Sequence, residues 1–156
     1  MGHRKQTQNI TVQITKNFDS LNLNAPKLKK LVKAVCNRFK LRKAVVSIAI
    51  VDDAEIRKVN KHFCNNGSST DCLSFDLSDD DPDSAKSFEL IVNAERAVKE
   101  ANIRGHSGQA ELALYVTHAL LHNLGFDDSG PKLAKQMHDT EDEILQQFGF
   151  GIVYNT

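Results

Sequence analysis

Cysteine is scarce in this chain and comes in an odd count: Cys36, Cys64 and Cys72, with no C-x-x-C spacing. That argues against a disulfide framework and a cysteine zinc site, and it fits a reducing cytosol. Long apolar runs are missing as well. Val45 to Val51, broken by Ser47, falls far short of the roughly 20 residues of a membrane span. The start, Met1-Gly2-His3-Arg4-Lys5-Gln6, holds no apolar run for a signal peptide and no Ser or Thr at position 6 for myristoylation. A soluble, cytoplasmic protein is expected. No internal repeat and no dividing linker interrupts the 156 residues, a length that suits one hydrophobic core, so residues 1–156 are expected to form a single domain.

Net charge is also absent, but the zero hides an asymmetry. Residues 1–61 carry 14 Lys/Arg against 4 Asp/Glu, and residues 62–156 carry 6 against 16. The stretch from Pro26 to Lys43 holds eight basic residues and no acid. A chain polarised in this way attracts polyanions locally despite its neutral total. The plainer reading is the solvated face of an amphipathic helix.

Periodicity supplies the elements. Ile10-Thr11-Val12-Gln13-Ile14 alternates as a strand does, and Val45 to Val51 reads as a central strand because it is almost continuously apolar. Pro26 opens a helix to about Phe39 in which Leu28, Leu31, Val32, Val35 and Cys36 share one face. Asp52 or Asp53 caps a short helix to about Phe63. Thr70 to Phe75 and Phe88 to Val92 give two more strands, separated by an acidic loop, Asp76 to Ser84, that lacks the Gly and Glu of a calcium loop. Helices follow over about Ala94–Ile103, Gln109–Leu124 and Lys132–Phe148. The expected architecture is α/β: a single mixed four-stranded sheet packed with about five helices, with a metal site at the end of a core helix.

That site is legible in His118-Ala119-Leu120-Leu121-His122-Asn123-Leu124-Gly125-Phe126-Asp127-Asp128. Histidines at i and i+4 share a helix face, so their imidazoles can meet one cation. Gly125 can take a left-handed conformation that turns the chain back, which lets Asp128 supply an oxygen. Three ligands, His118, His122 and Asp128, leave a fourth position for water, the catalytic pattern of Zn2+, one ion per chain, with another divalent cation as the alternative. The competing reading makes both histidines ordinary half-buried residues. The spacing matches H-E-x-x-H-x-x-G-x-x-H/D, but Ala119 stands where a metallopeptidase needs its general base, so peptide hydrolysis is disfavoured. Glu111, seven residues before His118, is a candidate remote base or ligand partner.

These residues resemble the YbeY family of single-strand-specific endoribonucleases, which act in ribosomal RNA maturation and ribosome quality control. The family hallmark H-G-x-L-H-L-x-G-Y-D-H, preceded by a T-D-V-L-S-F-P strand, has its counterparts in His118–Asp128 and Thr70–Asp76. Further similarity runs through Glu89–Ala97, Gly105-His106-Ser107, Met137 and Glu143-Ile144-Leu145. The resemblance implies a metal-dependent hydrolase of phosphodiester bonds, with single-stranded RNA and the ribosome or a ribosomal subunit as partners. RNA is expected along a groove between the basic first helix, through Lys27, Lys30, Lys33 and Arg38, and the metal helix.

Two departures carry chemistry. The family's third ligand, a His, is Asp128 here, and an anionic ligand acidifies the metal's water less than a neutral imidazole does. The family's Arg before the T-D-V-L-S-F strand falls on Cys64, which removes a bidentate phosphate clamp. Arg57, Lys58 and Lys61 are the nearby substitutes. Two further readings stay open: a non-catalytic, metal-containing, ribosome-associated RNA-binding module, and, less favoured, a metallopeptidase.

Overall fold

The structure, a computed structural model, describes residues 8–151; Met1 to Gln6 and the leader and lipidation signals sought there lie outside the described residues. In chain order the elements are β1 (Asn9–Lys16), α1 (Ala25–Arg38), β2 (Lys43–Val51), α2 (Asp53–Cys64), β3 (Cys72–Asp76), β4 (Lys86–Asn93), α3 (Ala94–Arg104), α4 (Gly108–Asn123) and α5 (Pro131–Gln147). The strands form one mixed sheet in the order β1-β2-β4-β3. β1, β2 and β4 run parallel, and β3 closes one edge antiparallel to β4, with Cys72 opposite Val92.

Strand alternation decides which residues meet which helices. Ile10 and Val12 of β1, Val46, Ile48 and Ile50 of β2 and Phe88, Leu90 and Val92 of β4 enter the main core together with α1, α4 and α5. The intervening Val51 and Ile91 turn to the other face, where they pack with Ile56 of α2 in a small separate cluster. β2 lies inside the sheet, with Ala44, Val46, Ile48 and Ile50 buried on the main-core face, while on the other face Val51 is buried and Val45, Ser47 and Ala49 are only partly covered. The five apolar residues read as one face of α1 are all buried, each contributing roughly 1.5–3 kcal/mol if a full Leu- or Val-sized side chain leaves water.

Four helices begin with a side-chain cap: Asn24, Asp52, Asn93 and Ser107 each accept from the backbone N–H three residues on. Asn93 does more. Fully buried at the end of β4, it also donates through Nδ2 to Asp53 Oδ1 and to the carbonyl of Thr70. Its own N–H reaches the carbonyl of Asp71. β3 starts at Cys72, two residues later than periodicity suggests: Asp71 keeps a single backbone bond to Asn93, and the Thr70 carbonyl is taken by the Asn93 side chain. No described helix is long and apolar enough to cross a membrane.

Candidate metal centre

α4 is buried nearly all round from Ala110 to Leu121, and His118 is the first break in that run. The helix ends at Leu124. Gly125 takes φ +98°, its N–H reaching the carbonyl of His122 at 3.1 Å while that of Phe126 reaches Leu121 at 2.9 Å. This is the Schellman stop, completed by an apolar contact: Phe126 packs into the core and meets Phe39 edge-on at 5.3 Å. The turn brings Asp128 back over the helix end. Asp127 faces elsewhere, its carboxylate accepting from the Ser129 N–H at 2.8 Å and hydroxyl at 2.7 Å.

Three donor atoms then face one another. His118 Nε2 and His122 Nε2 are 3.1 Å apart, and Asp128 Oδ2 lies 3.5 and 3.6 Å from them. Tetrahedral zinc with bonds of about 2.0–2.1 Å separates its ligands by roughly 3.3 Å. The other ring nitrogens are committed. His122 Nδ1 lies 3.1 Å from the carbonyl of Phe126, which can only accept, so Nδ1 carries the proton. His118 Nδ1 donates to Glu141 Oε1 at 3.0 Å. Both Nε2 atoms are left as lone pairs beside a carboxylate oxygen, a set of acceptors with a common demand for a cation. His118, His122 and Asp128 thus form a cluster able to hold a metal ion.

Glu141 was not visible as part of the site in the sequence. It stands on α5 with its side chain 1% exposed, and one of its oxygens takes the N–H of His118 and, at 2.9 Å, that of His138. A buried carboxylate behind a ligand histidine fixes its tautomer and ring plane and makes it a stronger donor. Burial disfavours a charged His118, but the hydrogen bond and charge of Glu141, helped by Asp71 and Asp128, prevail and raise its proton affinity above the ordinary 6.5. His118, His138 and Glu141 also lie close enough to group around an ion. Their nitrogens, however, converge on a single carboxylate oxygen, the arrangement of a hydrogen-bonded triad.

A cleft of about 190 Å³ opens beside His118, with Asp71, Arg96, Arg104, Glu111 and Tyr115 among its walls. Glu111 thus shares the cleft with His118, as its helix position suggested, yet its buried carboxylate is held between Arg104, at 3.4 Å, and His106. Desolvation, with the charges of Glu111 and Asp71, keeps the Tyr115 hydroxyl protonated by driving its pKa well up. Ala119 is fully buried and faces the core, so the position of a peptidase base does not open on the cluster.

The basic residues of α1 divide. Lys30 and Lys33 are exposed. Arg38 makes a two-pronged pair with Glu143 of α5, at 3.1 and 3.3 Å, and the Lys27 ammonium sits 4.1 Å over the ring of Phe150. Cys64 is exposed at the end of α2, and Arg57 pairs with Asp53 at 2.6 Å.

The model of the family described as Endoribonuclease YbeY matches residues 10–149. The Endoribonuclease YbeY of Macrococcus caseolyticus is 36% identical over 112 residues, spanning 68% of this chain and 73% of its own length. That of a Roseiflexus species is 37% identical over 112 residues, spanning 67% and 70%. The solution structure of TM1509 from Thermotoga maritima is similar in fold, with a TM-score of 0.57 at 21% identity over 88% of this chain and 91% of its own.

Proposed function

This chain belongs to the YbeY endoribonuclease family, and from that premise we propose that it is a zinc-dependent endoribonuclease. Its substrate is single-stranded RNA, cut in ribosomal RNA maturation and ribosome quality control, with the ribosome or a ribosomal subunit as partner. One observation carries the reading: two histidine nitrogens and an aspartate oxygen lie within 3.6 Å of one another, with both other ring nitrogens tied down. His118, His122 and Asp128 hold the ion. When bound, zinc supplies a Lewis acid and an activated water.

The remaining residues position and shield. Glu141 and the Phe126 carbonyl lock the two imidazoles in the tautomer that leaves Nε2 free. Glu111, clamped by Arg104 and His106, serves as a wall and holds the Tyr115 hydroxyl, which keeps its proton. Lys30 and Lys33 offer charge to the RNA backbone, and Lys27 and Arg38 join them only by leaving Phe150 and Glu143. Three free cysteines suit a reducing, cytoplasmic setting for one domain.

The test is cleavage of a single-stranded RNA by purified protein stripped of metal and then reloaded with zinc. Cleavage is expected only after reloading and not from His118→Ala. Equal cleavage by His118→Ala would mark a contaminant and end the nuclease reading. Cys64, uncharged and exposed, favours one rival: a module that binds RNA and metal without cutting, seen as retained binding with no turnover in the reloaded protein.

A further inference from the structure

The cleft beside His118 is lined by several carboxylates, an odd wall for a substrate made of phosphates. The two most buried are engaged from within, although Oε2 of Glu141 is buried without a partner. Glu111 is paired with Arg104 and His106, and Glu141 takes the N–H groups of His118 and His138. Asp71 accepts from the Cys72 N–H at 2.8 Å. Arg96 is different. It lines the same cleft from the first turn of α3, its backbone N–H held by the cap Asn93 at 3.0 Å. Among the described residues no carboxylate lies within ion-pair distance of its guanidinium, although Arg38, Arg57 and Arg104 are all paired. Its charge is felt at Tyr115, where it opposes the rise in the hydroxyl's pKa. It also borders a second cleft of about 260 Å³ beside Ser69 and Lys99, so it is reachable from solvent.

Arg96 shares both clefts with Glu100, one helical turn on, yet no described carboxylate engages its guanidinium, so the half-buried fork stands open to an anion beside a cluster suited to a cation. We infer that Arg96 grips a non-bridging oxygen pair of a substrate phosphate in the cleft next to the metal cluster. This inference rests on the nuclease reading and places the phosphate-binding cation on α3. α2, where Arg57, Lys58 and Lys61 were the sequence candidates, does not supply it: Arg57 is occupied by Asp53, and Lys58 and Lys61 do not line the cleft. Arginine suits the task because its planar fork meets two phosphate oxygens at once, which lysine cannot do.

The experiment compares zinc-loaded wild type, Arg96→Ala, Arg96→Lys and the control Lys61→Ala. It measures bound zinc, thermal melting, turnover of single-stranded RNA, and anisotropy of a short 2′-O-methylated strand across a salt series. Arg96→Ala should keep its zinc and melting temperature but lose on the order of 100-fold in kcat/KM. Its slope of log affinity against log salt should flatten by about 0.7, one phosphate contact on a single strand. Arg96→Lys should restore the salt slope but only part of the turnover, and Lys61→Ala should match wild type. Wild-type turnover and salt slope in Arg96→Ala overturn the inference and leave the nuclease standing. No turnover by the wild type, with the salt slope still flattened in Arg96→Ala, overturns the nuclease reading and keeps Arg96 as the phosphate contact.

Discussion

The two histidines of the cluster are held by different parts of the molecule. His118 is backed by a buried charged group: Glu141, 1% exposed, on a helix packed into the core. His122 is backed by the carbonyl of Phe126 in the turn after the helix, the turn that also carries Asp128, whose side chain is 43% exposed. One side of the cluster is core and the other is loop. A core-backed ligand is in place before an ion arrives, whereas loop-borne Asp128, and the Phe126 carbonyl behind His122, depend on a backbone turn that only glycine adopts without strain. The two sides should therefore fail differently.

The largest effect belongs to the core side. Glu141→Ala leaves the inward N–H groups of His118 and His138 without their shared acceptor, and zinc affinity should fall about 10- to 100-fold, with about 1–3 kcal/mol lost for each buried donor left unmet. Glu141→Gln keeps an acceptor oxygen without the charge and should fall between. Competition with a chelator of known affinity and denaturant unfolding measure the two quantities. Affinity unchanged in both variants would remove the core side of the comparison.

Gly125→Ala tests the loop side. A Cβ there meets no neighbour within 4 Å, so the whole cost is conformational, from φ +98°, and should be about 1–2 kcal/mol. Zinc affinity should drop with stability, while Leu121→Ala, in the core, should cost more stability with less effect on zinc per kcal/mol. Were Gly125→Ala neutral in both, the turn would not be what presents Asp128.

A smaller effect concerns the segment that brings Asp71 to the cleft. The Asp53 carboxylate accepts from Ser69, Arg57 and Asn93, and the hydrogen bond from Ser69, followed by that from Arg57, lowers its pKa from the ordinary 3.8 to about 2. A carboxyl whose pKa is lower in the folded state stabilises fully above its unfolded value and loses that contribution as pH falls through its folded one. Melting temperature should therefore decline between about pH 4 and about pH 2, and Asp53→Asn should flatten that limb. An identical acid limb in the variant would mean that the anchor does not matter.

Much of the core was legible before the structure because burial repeats with the period of each element. The apolar face of α1, the central place of β2 and the stop at Gly125 follow from residue order alone. The H-x3-H spacing put His118 and His122 on one face for the same reason. Glu141 was hidden because nothing local links it to His118, 23 residues earlier; only the packing of α5 on α4 joins them. Arg38 read as a free cation because its partner, Glu143, is 105 residues away. Nothing local marked Arg96 within the Glu89–Ala97 run, and its place in the cleft arises from the packing of α3 against α4. One-dimensional patterns report faces and turns, while pairings between elements need the third dimension.

The shortest route to the centre of all this is the metal content of purified wild type beside Asp128→Ala, measured by mass spectrometry after gel filtration. Close to one zinc per wild-type chain and a marked loss in the variant are predicted. Equal zinc in both would mean that the carboxylate facing His118 and His122 is not a ligand, and that the cluster is not what it is taken to be.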